Sequence, residues 1–122
     1  MAKTIMVVDD STSLRQVVSI ALKGAGYDVL EACDGKDALS KLNGAKISLI
    51  ISDVNMPNMD GITFVQEVKK LPSYKFTPVI MLTTESQESK KAEGQAAGAK
   101  AWVVKPFKPE QMLAAVAKLI MP

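Results

Sequence analysis

The stretch from Ile47 to Gly61 constrains the fold more than any other part of this chain. Its first half is a short, apolar and largely β-branched run that ends abruptly at Asp53. Turn-forming residues follow before a helical pattern begins, namely Pro57, Asn58, Asp60 and Gly61. The pattern predicts a buried strand that delivers one carboxylate to a loop. Ligands of open α/β sheets bind beyond the carboxyl ends of the strands, so Asp53 is a candidate functional residue, with an ordinary turn aspartate as the alternative.

The rest of the chain repeats this strand-then-helix order. Apolar runs predict strands over about 4–9, 27–32, 47–53, 78–84 and 101–104, and amphipathic patterns predict helices that begin near residues 11, 35, 61, 88 and 109. The first helix has the clearest stripe, formed by Leu14, Val17, Val18, Ala21 and Leu22. Short connections and right-handed crossovers make this an α/β protein, a parallel sheet with helices on both faces.

Two elements of this pattern differ from the others. The second strand is more polar than the rest, which indicates the edge of the sheet. The fourth helix contains Gly94 and is otherwise apolar mainly through alanine. A helical glycine costs about 1 kcal/mol relative to alanine, so we expect this helix to be the most loosely held.

Composition limits the possible functions. The 122 residues predict one domain over 1–122, and 48% apolar residues can build a core. A net charge of +2 gives no basic surface for nucleic acid or membrane, and no segment is long enough for a signal peptide or membrane span, so we expect a cytoplasmic protein. The chain has no histidine and no P-loop, and its one cysteine, Cys33, is expected to be a small buried side chain.

Polar residues follow four of the predicted strands, and parallel strands bring them to one rim of the sheet. They are Asp9, Asp10, Asp53, Asn55, Thr83, Thr84 and Lys105. Two carboxylates about 4 Å apart repel each other by about 4 kcal/mol at an effective dielectric near 20, so three need a counter-charge. Lys105 supplies one positive charge. A hard divalent cation with oxygen ligands would supply two more, and Mg²⁺ fits best because it also binds phosphate oxygens.

A carboxylate beside a metal ion, a lysine and a hydroxyl is equipped to attack phosphorus. The product is an acyl phosphate, whose added charge Mg²⁺, Lys105 and Thr83 would share. Each residue taken alone also has an ordinary structural role: Asp10 as a helix cap, Thr83 as a strand-end hydroxyl and Lys105 as a solvated lysine. Four strand ends with complementary chemistry favour a common function.

Five segments of the sequence carry a family resemblance. They are Val-Val-Asp9-Asp10-Ser, Asp53-Val-Asn55-Met-Pro57-Asn-Met-Asp-Gly61, Leu-Thr83-Thr-Glu85, Gly98-Ala-Lys-Ala-Trp102 and Lys105-Pro106-Phe107. Through them the chain resembles bacterial response-regulator receiver domains, and over essentially its whole length it is similar to the stand-alone, CheY-like chemotaxis regulators of that family. The resemblance implies a flavodoxin-like (βα)5 fold, a doubly wound parallel sheet with strand order 2-1-3-4-5.

The resemblance also implies a role for each matching residue at the rim. Asp53 would be the phosphorylated aspartate. Asp10 and Asp53 would bind Mg²⁺ directly, Asp9 through a water molecule, and Asn55 through its backbone carbonyl. The side chain of Asn55 would lie where the family tunes the lifetime of the phosphoryl group.

Five further positions take their roles from the same resemblance. The hydroxyl of Thr83 would contact the phosphoryl group, and Lys105 would pair with a phosphoryl oxygen. Glu85 would be a second lifetime-tuning position, and the peptide bond before Pro106 would be cis, a form that costs an X-Pro bond only about 0.5–1 kcal/mol. Trp102 matches the switch position, where the family usually has tyrosine; tryptophan is larger and its indole N–H only donates, so an aromatic that merely covers an edge strand is the alternative.

The function that follows is a phosphorylation switch in a two-component system rather than an enzyme acting on other substrates. A separate, CheA-like histidine kinase would phosphorylate Asp53, and the face made by the fourth helix, fifth strand and fifth helix would change its affinity for a partner protein. We expect a monomer, with no nucleic acid or membrane partner and with a possible phosphatase. Since no DNA-binding or catalytic segment follows Pro122, the signal is expected to leave through protein contact, first of all with the flagellar motor switch. A phosphorelay intermediate, a phosphate sink and a regulator outside chemotaxis share the same motifs.

Two other classes of protein remain as alternatives. Phosphohydrolases of the haloacid dehalogenase type form an aspartyl phosphate on a similar fold, but they place an acid/base aspartate where this chain has Asn55, and they use a cap domain that is not evident here. A flavodoxin-type flavin module fits less well, because the loops at the strand ends are acidic where a phosphate cradle is needed.

Overall fold

The structure, a computed structural model, describes residues 3–42, 44–54, 56, 58–84, 91–105 and 108–120. Within these residues strands and helices alternate as predicted. The order is β1 (Thr4–Val8), α1 (Thr12–Gly24), β2 (Asp28–Ala32), α2 (Gly35–Lys41), β3 (Leu49–Asp53), α3 (Gly61–Lys70), β4 (Val79–Thr84), α4 (Lys91–Ala97), β5 (Ala101–Lys105) and α5 (Pro109–Leu119). None of the helices in the described part of the chain has the length and apolarity needed to span a bilayer.

The five strands form one parallel sheet in the order β2-β1-β3-β4-β5, which confirms the order implied by the resemblance. The polar strand β2 lies at an edge, as its sequence predicted. In the register, Val8 pairs with Ser52, and Asp53 pairs with Leu82. Asp9 directly follows Val8 in the sequence, and Asp53 directly follows Ser52. The two aspartates therefore lie together at the same rim of the sheet.

The core consists of two apolar layers, one on each face of the sheet. Alternate residues of the strands enter opposite layers: Met6 and Ile50 pack with α2 and α3, whereas Val7 and Ile51 pack with α1 and α5. Because both faces are covered, the central strands have no solvent-facing positions to fill with polar residues. This is why β1 and β3 are continuous apolar runs, and why their polar residues are concentrated at the strand ends.

The buried stripe of α1 differs from the predicted one. Val18 and Leu22 are buried, but Val17 is 51% exposed, and Ser19 is buried in the helix beside Val18. Val17 lies at the margin of the apolar stripe, where neither the sheet nor α5 covers it fully. The helix begins at Thr12, close to the predicted start, and Ser11 rather than Asp10 is its cap, because the Ser11 hydroxyl accepts a hydrogen bond from the N–H of Leu14.

The expectation of a buried Cys33 was wrong. This residue follows the last residue of β2, and its side chain is exposed. Its backbone N–H donates to Asp37 Oδ2 at 3.0 Å, which holds the turn before α2 while the thiol points away from the core.

The described part of α4 begins at Lys91, three residues later than predicted, and residues 85–90 lie outside the described residues. Its side chains at Glu93, Gln95 and Ala96 are exposed. Among the side chains that the structure describes in this helix, none is fully buried. Weak anchoring of α4 remains a prediction, and the exposure of these side chains agrees with it.

Candidate functional site

Three aspartates form an acidic cluster at the carboxyl end of the sheet. One carboxylate oxygen from each of Asp9, Asp10 and Asp53 lies within 4.8 Å of the other two. Asp9 is 1% exposed and Asp53 is 7% exposed, whereas Asp10 is open to solvent. The neighbouring strands β1 and β3 bring these residues together from distant parts of the sequence, as their positions at strand ends predicted.

Lys105 is the cation that faces this cluster. Its Nζ lies 3.1 Å from Asp53 Oδ1 and 3.7 Å from Asp9 Oδ2, and its side chain is 21% exposed. Because β4 lies between β3 and β5, the long lysine side chain has to reach across one strand to make these contacts. Lys105 alone does not balance three carboxylates, so its contacts leave an excess of negative charge among the described side chains of the cluster.

Backbone N–H groups fix the orientation of two of the carboxylates. Asp9 Oδ1 accepts from the N–H of Ser11, and Asp53 Oδ1 accepts from the N–H of Val54, each at 2.8 Å. Burial raises the pKa of Asp9 above its ordinary value, and the nearby charge of Asp53 raises it further, while the Ser11 N–H and Lys105 act in the opposite direction. Asp9 is therefore a carboxyl group whose charge is poorly compensated.

The residues of the cluster fit a hard divalent cation. Asp9 Oδ2 is buried and has no hydrogen-bond partner among the described residues. The side-chain donors that these three residues offer are carboxylate oxygens, a ligand type that suits Mg²⁺. Asp9, Asp10 and Asp53 are the described side chains that would hold such an ion, and its charge would offset their mutual repulsion.

Arg15 also belongs to the site, and sequence reasoning missed it. Its Nη1 donates to the backbone carbonyl of Asp9 at 2.6 Å, and its Nε donates to Glu31 Oε1 at 3.1 Å. The guanidinium thus ties the loop after β1 to the edge strand β2. No sequence motif points to this contact, because it depends on which side of α1 faces β2.

The remaining predicted residues lie on β4 and β5. Thr83 is buried and stands one residue beyond Leu82, the register partner of Asp53. Trp102 is partly buried against the core layer of α2 and α3, and its Nε1 has no hydrogen-bond partner in the described part of the chain. The alternating register puts both side chains on the same face of the sheet. The predictions for Asn55, Glu85 and Pro106 fall outside the described residues.

Comparison with known proteins agrees with this fold and site. The sequence matches the family described as "Response regulator receiver domain" over residues 5–117. It is 38% identical to protein PilG of Pseudomonas aeruginosa over 92% of this chain and 83% of PilG, and 39% identical to chemotaxis protein CheY1 of Helicobacter pylori over 87% of each chain. The structure of chemotaxis protein CheY4 of Vibrio cholerae superimposes with a TM-score of 0.93 at 49% identity, covering 98% of this chain and all of CheY4.

The chain belongs to the response regulator receiver domain family. Within that family it is CheY-like, a signalling domain of a two-component response regulator, and the family as a rule consists of signalling proteins rather than enzymes. Membership favours this class over the phosphohydrolase and flavin-module alternatives. Some matched proteins are longer, since the chain spans only 47% of a probable transcriptional regulator of Porphyridium aerugineum.

Proposed function

We propose that the chain is a single receiver domain whose Asp53 accepts a phosphoryl group from a histidine kinase in a Mg²⁺-dependent reaction. The observation that carries this proposal is the contact of 3.1 Å between Lys105 Nζ and Asp53 Oδ1 beside two further carboxylates. This contact places the proposed nucleophile, Asp53, beside a positive charge and a group of carboxylates that could bind a metal ion. All of them lie at the rim of the sheet where α/β proteins bind their ligands.

The reaction transfers a phosphoryl group from a phosphohistidine of the kinase to Asp53. A carboxylate oxygen of Asp53 attacks phosphorus, the P–N bond breaks with its electrons returning to the imidazole, and an acyl phosphate remains on the aspartate. Asp9, Asp10 and Asp53 would hold the Mg²⁺ ion, which would supply electrostatic stabilisation of the negative charge on the phosphoryl oxygens. Lys105 already faces Asp53 and would pair with one phosphoryl oxygen, while the hydroxyl of Thr83 would contact another.

Phosphorylation would then change the surface formed by α4, β5 and α5. Thr83 and Trp102 lie on the same face of the sheet, so a shift of Thr83 toward the phosphoryl group alters the space available to the indole. The side chains described in α4 are mostly exposed, which makes this helix the element that adapts at the lowest cost. In this proposal Asn55 and Glu85 tune the lifetime of the acyl phosphate, and the peptide bond before Pro106 is cis.

The partner that receives the signal is proposed from the relatives. CheY1 and CheY4 are named chemotaxis proteins. We propose that this chain acts as a cytoplasmic monomer between a CheA-like kinase and a flagellar motor switch protein, with a possible phosphatase. A phosphorelay intermediate, a phosphate sink or a regulator outside chemotaxis would use the same chemistry at Asp53. Pull-down of the phosphorylated protein with flagellar switch components separates these roles, and equal binding with and without phosphorylation would remove the motor role.

The chemistry at Asp53 is tested by intact mass and tryptophan fluorescence on the same samples. Mg²⁺ and then acetyl phosphate are added to the wild type and to Asp53→Asn. We expect the wild type to gain the mass of one phosphoryl group and to change its fluorescence, and the variant to do neither. Trp102 is the sole tryptophan, so the signal has one source. A mass gain without a fluorescence change would contradict the role of Trp102, and no mass gain with Mg²⁺ present would overturn the function.

A further inference from the structure

A side-chain hydrogen bond ties the loop after Asp53 to the beginning of α2. Asn58 Nδ2 donates to Asp34 Oδ2 at 2.9 Å, across 24 residues of sequence. Asp34 is 8% exposed, so solvent competes only weakly for this contact. The bond connects the β3–α3 loop, residues 54–60, which follows the proposed phosphoacceptor, to an element that takes no part in the acidic cluster.

Both oxygens of Asp34 are in use. Oδ1 accepts from the N–H of Asp37 at 2.8 Å and thereby caps α2, while Oδ2 accepts from Asn58. The Asp37 N–H, and after it the Asn58 amide, hold the pKa of Asp34 below its ordinary value. Asp34 is thus an ionised hydrogen-bond acceptor, and its role as the N-cap of α2 fixes its position.

The backbone of the loop is shaped to make this contact. Asn58 is the one non-glycine residue with a positive φ in the described chain, at 68°, a conformation that asparagine tolerates better than most residues. The following residue, Met59, packs directly on the first residue of α2: a Cβ on Gly35 would lie 2.8 Å from Met59 Sδ. The loop therefore rests on the beginning of α2 through both a hydrogen bond and a close apolar contact.

The other end of the loop holds Asp53 itself. The N–H of Val54 donates both to Asp53 Oδ1 at 2.8 Å and to the carbonyl of Leu82 at 3.2 Å, and the carbonyl of Val54 accepts from the N–H of Gly61 at 2.8 Å. The backbone N–H that orients the Asp53 carboxylate thus belongs to Val54, the first residue of the β3–α3 loop. Asn58 follows Val54 by only four residues in the sequence, so the position of Asn58 limits where this N–H can lie.

We propose that Asp34 and Asn58 are positioning residues for phosphoryl transfer, which hold the β3–α3 loop in the conformation in which Asp53 reacts. The inference rests on the proposed function, since it assumes that Asp53 is the phosphoacceptor. Neither residue touches the reacting atoms. Their effect is on the geometry of attack, where small displacements cost large factors in rate.

The test uses an exchange of the two side chains. Asn58→Asp places two carboxylates opposite each other and should open the contact. The double variant Asp34→Asn with Asn58→Asp restores one donor and one acceptor with reversed polarity, and asparagine at position 34 can still cap α2. Asn58→Gly keeps the left-handed backbone and removes only the link.

The rate of phosphorylation by acetyl phosphate is measured by intact mass at saturating Mg²⁺ over a range of phosphodonor concentrations, well below the unfolding temperature of each variant. We expect the maximal rate to fall about tenfold in Asn58→Asp and several-fold in Asn58→Gly, and the double variant to return to within about twofold of the wild type. Wild-type rates in both single variants, or a double variant as slow as Asn58→Asp, would overturn the positioning role. Absence of phosphorylation in the wild type would instead overturn the proposed function, and the positioning role with it.

Discussion

Lys105 Nζ lies 3.1 Å from Asp53 Oδ1, although the two residues belong to strands that are not neighbours in the sheet. The same ammonium lies 3.7 Å from Asp9 Oδ2, so one cation serves two nearly buried carboxylates. We therefore expect Lys105 to contribute to the stability of the folded state, in addition to its proposed role in phosphoryl transfer, because a buried carboxylate without a counter-charge destabilises the folded state.

Replacement of Lys105 by methionine is expected to destabilise the protein by about 2 kcal/mol at neutral pH in the presence of EDTA, the usual size for a lost charged hydrogen bond. Excess Mg²⁺ should restore part of this loss, because the bound ion would provide the missing positive charge. Urea unfolding with EDTA and with Mg²⁺ measures both effects. Lys36→Met, which removes an exposed lysine, is the matched control and should change little. An unchanged unfolding midpoint in Lys105→Met would contradict the role of this contact.

Replacement of Gly61 by alanine is expected to destabilise the protein by more than about 4 kcal/mol or to prevent folding. A Cβ on Gly61 would lie 2.0 Å from the backbone carbonyl oxygen of Asp53, and that carbonyl belongs to a central strand that cannot move away. The control is Gly24→Ala at the end of α1, where an added Cβ meets nothing within 4 Å. That variant should be neutral or up to about 1 kcal/mol more stable, because alanine favours the helix. Equal stabilities of the two variants, measured by urea unfolding, would refute the argument.

Ser19→Ala is expected to stabilise the protein by about 1 kcal/mol. The Ser19 hydroxyl is buried within α1 and has no hydrogen-bond partner among the described residues, so its removal relieves an uncompensated desolvation cost. Ser13→Ala lies on the same helix but is exposed, and it reports the gain in helix propensity alone. Thermal unfolding of both variants separates the two contributions. A Ser19→Ala variant less stable than wild type would indicate that the hydroxyl has a bonding partner.

Acidification should lower the stability of the folded protein, partly because Asp37 becomes protonated. The Cys33 N–H, bound to Asp37 Oδ2, holds the pKa of this carboxyl below its ordinary 3.8, and Lys41, with Nζ at 3.2 Å, acts in the same direction. Because the folded pKa lies below the unfolded one, the stabilisation is complete above the ordinary value and is lost as the pH falls through the folded pKa. The unfolding midpoint of the wild type should therefore fall more between pH ~5 and ~3 than that of Asp37→Asn. If the unfolding midpoints of the wild type and of Asp37→Asn fall equally as the pH is lowered, the Asp37 carboxylate does not contribute to stability in this way.

Much of the fold could be predicted from the sequence for a simple physical reason. Strands buried on both faces are mainly apolar, so β1 and β3 stand out in the sequence. The first charged residues after these apolar runs, Asp9 and Asp53, mark the rim that carries the candidate site. The alternation of strands and helices then requires a parallel sheet. The strand order came from the resemblance to a family, because hydrophobic patterns do not determine which strands are neighbours.

Other features depend on packing between elements, which a local pattern does not contain. The exposure of Val17 and Cys33 follows from how α1 and the turn before α2 lie on their neighbours. The contact of Arg15 with the Asp9 carbonyl and the bond between Asn58 and Asp34 join segments whose separation in the sequence gives no periodic signal.

The sequence by itself determined which residues lie at the carboxyl end of the sheet and which charges they bring there. Strand ends are marked by an abrupt change from apolar to polar residues, and a parallel sheet collects all of them on one side. Only the tertiary structure decided how those charges are paired and how the β3–α3 loop is held. Distances such as 3.1 Å between Lys105 and Asp53, or 2.9 Å between Asn58 and Asp34, result from strand order, sheet twist and helix docking together. Each of these is a property of the packed molecule, and none is encoded in a single segment of the chain.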